Sequence, residues 1–260
     1  MNQKSPSLLL LVLALISSEL FAKDHPAKFT SSSLREAVEA GDSAYRAFNY
    51  DLAIQKYEQA TKENLSVDLL LKLSDAYFFG GYEKPKREQE KMYFNAKKVL
   101  LTAKQIDSLN SEVFARLGQV TGQIAIFKGN EEKIKLGLQI KEYADRALEL
   151  NPNCAMAHAV LGIWHYELAG LSFFERTLVN VLFGGVPKGS YETSCTHLKK
   201  AVELAPNVIY YRYMFAKSLI KVDQEEEAKK SLIVALELPL LVAGDKRNKS
   251  AAKELLLELN

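Results

Sequence analysis

The chain has 260 residues, 48% of them apolar and 25% charged, which suits one or two globular domains with a sizeable core. Its 34 basic and 32 acidic residues leave a net charge of +2, so it carries no electrostatic footprint for nucleic acid. The one short basic run, Lys84–Arg87, is followed by Glu88 and Glu90 and reads as a solvated loop.

The first 22 residues differ from the rest: Lys4 precedes the apolar run "LLLLVLALI" (Leu8–Ile16), and "SSELFA" ends at Ala22. A basic start, a short apolar run and a terminal small residue predict a secretory signal peptide. Cleavage is expected near Ala22, with the mature chain starting about Lys23. The run is short of the roughly 20 apolar residues that span a bilayer. An uncleaved anchor is the alternative. The expected location is therefore exported, either periplasmic or associated with a bacterial envelope.

Helices are expected near 33–46, 50–63, 67–79, 88–106, 111–127, 132–150, 154–169, 172–183, 190–204, 208–221, 224–236 and 246–259. Ser190 and Asp223 are suited to cap the helices they precede. No stretch alternates with a period of two, so no sheet is predicted.

Self-similarity organises these helices. "AIQKYEQA" (Ala53–Ala60), "YADRALELNPN" (Tyr143–Asn153), "HLKKAVELAPN" (His197–Asn207) and "AKKSLIVALELP" (Ala228–Pro239) each place Ala in a last turn. Small residues recur upstream, at Gly41, Ser74, Gly118, Gly162 and Ala216. In the first and last units the small residue precedes its partner by 12, Gly41 to Ala53 and Ala216 to Ala228. This pattern resembles the tetratricopeptide repeat, a helix–turn–helix unit whose small residues let two helices cross closely. The expected fold is all-α: a right-handed α-solenoid of about five such repeats, near 34–65, 67–110, 111–153, 154–206 and 207–240, within residues 23–260. A C-terminal helix, 245–259, should cap the open end. The middle repeats are stretched. Ser74 to Ala96 and Gly118 to Ile140 are 22 residues apart, and Gly162 to Ser194 is 32.

The stretched units carry a more specific likeness. "LGIW" (Leu161–Trp164), "AGLSFFER" (Ala169–Arg176), "LFGGVPKGSYE" (Leu182–Glu192) and "ALELPLLVAGDKRNKSAAKELL" (Ala235–Leu256) are similar to the regulator of microtubule dynamics family. The resemblance spans roughly Asp42–Leu256 and implies an all-α, tetratricopeptide-like binding domain. Eukaryotic members look like microtubule-associated or organelle-contact proteins, some with a membrane anchor and lipid-handling activity. The leader differs from theirs and points to a bacterial exported relative. For such a protein the fold should carry over and a microtubule partner should not.

No Gly-rich phosphate loop, Gly-x-Ser-x-Gly elbow or His-Glu-x-x-His occurs, so neither an enzyme nor a cofactor is expected. Cys154, His158 and His165 fall at i, i+4 and i+11 of one helix, a spacing at which the first two could share a metal. The repeat frame puts both histidines where the consensus packs aromatic rings, which favours packing. Cys154 and Cys195 are offset by about six residues, or about 9 Å. A disulfide needs Cα atoms within about 7 Å, so two free thiols are expected.

The first helices of the repeats should line a concave face, with Tyr45, Asp75, Phe78, Gln119, Ile163, Tyr166, Tyr210, Tyr213 and Lys217 available to a protein or peptide partner. Tyrosine and phenylalanine suit that role because they bury much area at little rotamer cost. Phe173, Phe174, Leu178, Leu182 and Phe183 make helix 172–183 apolar on most of its circumference. Such a helix is buried or partner-bound. It either fills the concave face beside the first helices of repeats 3 to 5 or walls a pocket for an apolar ligand such as a lipid.

Overall fold

A computed structural model describes residues 32–173, 176–177, 180 and 188–259. The signal-peptide expectation at residues 1–22 lies outside these, as do Phe174, Leu178, Leu182 and Phe183 of the expected insertion helix. Among the described residues there are eleven helices and no strand: α1 (Ser32–Arg46), α2 (Tyr50–Glu63), α3 (Val67–Gly81), α4 (Lys86–Ile106), α5 (Ser111–Ala125), α6 (Asn130–Leu150), α7 (Ala155–Ala169), α8 (Tyr191–Leu204), α9 (Ile209–Ile220), α10 (Glu225–Glu237) and α11 (Asp245–Glu258).

Capping sets several starts. Ser66 Oγ accepts from Leu69 N, Asn110 Oδ1 from Glu112 N and Val113 N, and Ser190 Oγ from Thr193 N. Ser190 thus plays its expected role. Asp223 does not. It takes φ 57°, and Gln224 is the residue before α10. Aspartate tolerates this left-handed turn because its short side chain can bond locally.

Five hairpins follow, α1/α2, α3/α4, α5/α6, α7/α8 and α9/α10, each packed on the next. The repeated alanines explain the spacing. Ala60, Ala103, Ala147, Ala201 and Ala235 all have 0% exposure, each in the last turn of a second helix. In the first four hairpins that alanine's carbonyl also accepts the N–H of the residue ending the helix, at Asn64, Asp107, Asn151 and Ala205. Their small partners in the first helices sit against large neighbours. A Cβ built on Gly41 would lie 2.6 Å from the Tyr57 ring, and one on Gly162 would lie 2.5 Å from Leu198 Cγ.

The ten extra residues of repeats 2 and 3 are chiefly helix. α4 and α6 have 21 residues where α2 and α8 have 14, an addition of about two turns at the start of each second helix.

Polar ties cross each junction. Asp42 accepts from Tyr57 Oη and Lys72 Nζ, joining repeats 1 and 2. Arg116 donates from Nε and Nη2 to both oxygens of Asp75, joining 2 and 3. Trp164 Nε1 donates to the carbonyl of Gly137, and Ser194 shares a 2.8 Å hydrogen bond with Ser218.

α11 packs on α9 and α10 as the expected cap, burying Ala252 completely. The segment ahead of it does something the repeat pattern does not anticipate. It reaches the other end of the stack, where Ala243 N donates to Tyr50 Oη at 3.1 Å across 193 residues of sequence. A link between the first and last repeats of a curved stack is a chord, and a chord lies on the inside of the curve.

Candidate functional groove

The structure sorts the expected groove residues into three groups. Tyr166, Tyr213 and Lys217 come together. Lys217 Nζ lies 4.7 Å from the ring centre of Tyr166 and 5.7 Å from that of Tyr213. Tyr191, at the start of α8, meets Tyr166 edge-on at 5.4 Å, and Lys221 Nζ lies 6.0 Å from the Tyr191 ring. Ile163 and Tyr210 are half-buried on the same hydrophobic cluster of α7 and α9. Burial raises the pKa of Tyr166 and Tyr213, and pushes Tyr210 up to about 12. All three phenols stay neutral donors at ordinary pH.

Lys217 is the notable member. It is half-buried, and among the described residues no carboxylate stands within ion-pair distance of it. Two tyrosine faces hold a cation there. This arrangement favours an anionic group approaching from the groove.

A second group is wholly or partly buried. Phe78 is 2% exposed, ringed by Phe79, Tyr82 and Tyr93, so the expectation that it meets a partner is corrected. The cause is the lengthened α4: Tyr93, in its second turn, covers the face that an ordinary repeat would leave open. Asp75 is on the groove side but bonded to Arg116, with the two side chains 21% and 16% exposed. Tyr45 is half-buried and packs edge-on against Tyr50 and Phe79. Gln119 is half-buried on α5.

The third group belongs to the insertion. Phe173 is 87% exposed, so this residue does not pack on the concave face as expected. Arg176 donates to the carbonyls of Leu168 and Ala169 at the end of α7. At the far side Gly189 meets that same end: an added Cβ would lie 2.5 Å from Ala169 N. The two ends of the insertion therefore leave and return beside the Tyr166–Tyr191 corner.

Residues that the sequence did not nominate complete the picture. Tyr50, Tyr82 and Arg247 hold the C-terminal segment, with the Arg247 guanidinium 5.0 Å from the Tyr82 ring centre. Only Lys221 carried a signal, four residues beyond Lys217 on one helix face. His197 joins the two predicted histidines. Its Nδ1 is 3.1 Å from His158 Nδ1, and its ring stacks on His165. His158 Nε2 lies 3.0 Å from the Pro152 carbonyl and must donate to it, so His197 Nδ1 donates to His158. Among the described residues no group of three or more His, Cys, Asp or Glu is placed to hold a metal. Cys154 and Cys195 are free, and burial pushes both thiols up to about 11. A depression of about 300 Å³ between α5 and α6 is open to solvent and lined by Phe114, Tyr143, Glu142, Asp145, Arg146 and Glu149. Its carboxylates and guanidinium make it unlike a lipid pocket.

Comparison with known proteins gives the lineage. Residues 34–260 match the family model for regulator of microtubule dynamics protein 1-3. The chain belongs to that family. It is 31% identical over 134 residues to regulator of microtubule dynamics protein 1 of Mus musculus, covering 51% of this chain and 44% of the relative. With the Bos taurus protein 1 it shares 25% identity over 226 residues, covering 86% of this chain and 71% of the relative. It spans less than half the length of several curated relatives that it matches, including the Bos taurus protein 2. A crystal structure of a thermophilic TPR protein from Thermus thermophilus superposes with a TM-score of 0.61 at 18% identity, covering 86% of this chain and 99% of that one. That likeness carries the fold, a right-handed tetratricopeptide-type solenoid. The regulator of microtubule dynamics family thus has here a member built, among the described residues, from five helical hairpins.

Proposed function

We propose that the chain is a non-catalytic scaffold of the bacterial envelope that holds a protein or peptide on its concave face. The observation that carries this reading is Lys217, held between Tyr166 and Tyr213 without a carboxylate partner among the described residues. Partly desolvated, a lysine so placed favours an acidic side chain or chain-terminal carboxylate of the partner, while the tyrosine faces contact its apolar part. The relatives are named for microtubule dynamics, but with the leader read as an export signal an envelope protein is proposed here in place of tubulin.

A Tyr166→Ala, Tyr213→Ala pair tests it. The proteins recovered with the wild-type chain should be lost from the double variant, and an unchanged set refutes the reading. Native mass spectrometry of the purified chain addresses the carrier alternative. A bare protein mass fits the scaffold, and a co-purified lipid favours the carrier.

A further inference from the structure

The cap does not need the long reach of the segment before it. α11 covers the last repeat with Ala252, Leu255 and Leu256. Residues 241–247 nevertheless lie against Tyr50 at the start of α2 and Tyr82 just after α3, on the inner side of the stack. They hold their own shape: the Asp245 carboxylate, 3% exposed, accepts from Leu241 N and Val242 N at 2.9 and 3.1 Å. Their hold on the receiving surface is slight by comparison. Ala243 N donates to Tyr50 Oη, Gly244 faces the Tyr82 ring, and Arg247 lies over that ring.

The receiving surface is formed independently of the segment. Tyr45, Tyr50, Phe79 and Tyr82 make a chain of ring contacts with centroids 5.4 to 6.4 Å apart. Release of the segment exposes the Tyr50 hydroxyl and the Ala243 amide to water, which can satisfy both, and Asp245 keeps its two amides. Opening therefore leaves no orphaned polar group behind.

We propose that this aromatic surface is a docking site for an extended partner segment and that residues 241–247 are its resident, displaceable occupant. A fitting partner segment has the chemistry of that occupant: a free backbone N–H for Tyr50, small residues against Tyr82, and a cation three or four residues further on. The proposal rests on the reading of the concave face as the binding face and adds how access to it is controlled.

The test uses the full chain and a labelled synthetic peptide of residues 238–249, LPLLVAGDKRNK, followed by fluorescence anisotropy. Ala243→Pro with Arg247→Ala weakens the resident segment from its own side. The peptide should bind this variant at least about tenfold tighter than wild type. Tyr50→Phe keeps the ring and removes only the hydroxyl. In an otherwise wild-type chain it should speed exchange of the Ala243 amide about tenfold while amides of α9 and α11 stay protected. That second measurement decides the matter if the double variant does not fold. Equal peptide affinity for variant and wild type, no binding to either, or unchanged Ala243 exchange overturns the proposal. So does a dimer formed by exchange of C-termini in the double variant, because the occupant is then a second copy. Peptide binding needs no cellular partner. Its success beside a failed partner capture would count against the scaffold reading alone.

Discussion

Alanine at two glycines should move stability in opposite directions. Gly162 lies in α7 where the fourth hairpin crosses, and its added Cβ would fall 2.5 Å from Leu198 Cγ, 3.1 Å from Cδ2 and 3.2 Å from Leu198 N. Leu198 has 0% exposure, so it has no open space to turn into. Overpacking of this kind costs about 1–3 kcal/mol. Alanine returns about 1 kcal/mol through its better helix propensity, for a net loss of up to about 2 kcal/mol. Gly137 lies inside α6, and its added Cβ meets nothing within 4 Å. There the propensity acts alone, and Gly137→Ala should gain about 1 kcal/mol. In a chain of this size each kcal/mol moves Tm by about 2–4 °C. Thermal melts followed by circular dichroism should place Gly162→Ala up to about 8 °C below the wild-type chain and Gly137→Ala about 2–4 °C above it. If Gly162→Ala is stabilised like Gly137→Ala, the close crossing at small residues is refuted.

Asp75→Asn removes the bidentate partner of Arg116 but leaves its ion pair with Glu112, so chemical denaturation should show a loss of about 1.5–3 kcal/mol, the range for hydrogen bonds to a charged group. Acid should also weaken the fold. Burial, then the neighbouring His158 and His165, push His197 from the usual 6.5 down to about 4. The unfolded chain takes up that proton first, so the stabilisation is complete above about pH 6.5 and is lost as pH falls toward 4. The full shift corresponds to about 3 kcal/mol and, for a ring only half out of water, to about 1–2 kcal/mol. Denaturant midpoints between these pH values should show this slope, and His197→Gln should flatten it. N-terminal sequencing of the exported chain should begin near Lys23, and a first residue of Met1 contradicts the leader reading.

The hairpins were legible because their cause is local and repeated. Two helices cross closely only where a side chain is small, so Gly41, Ala53, Gly162, Ser194, Ala216 and Ala228 mark the crossings at a spacing the sequence displays. That Tyr166, Tyr213 and Lys217 come together on neighbouring first helices follows from the same frame, which gives them matching positions in the repeat. Phe78 was misjudged because its cover comes from Tyr93 on an added turn of α4, which the standard repeat lacks. The return of Ala243 to Tyr50 left no trace in the pattern. A single contact between distant residues has no period, and "LVAGDKR" reads only as a loop before a helix. His197 escaped notice because its partners lie on a different helix, brought together by the crossing at Gly162.

The central claim is that partners meet the inner face of the stack. A photo-reactive phenylalanine analogue placed at Tyr213 tests it most directly, with the same group at Ile233, 46% exposed on α10, as the outer-face comparison. Irradiation in cells followed by mass spectrometry should give a cross-linked partner from position 213 and none from 233. Cross-links at 233 with none at 213 would contradict it.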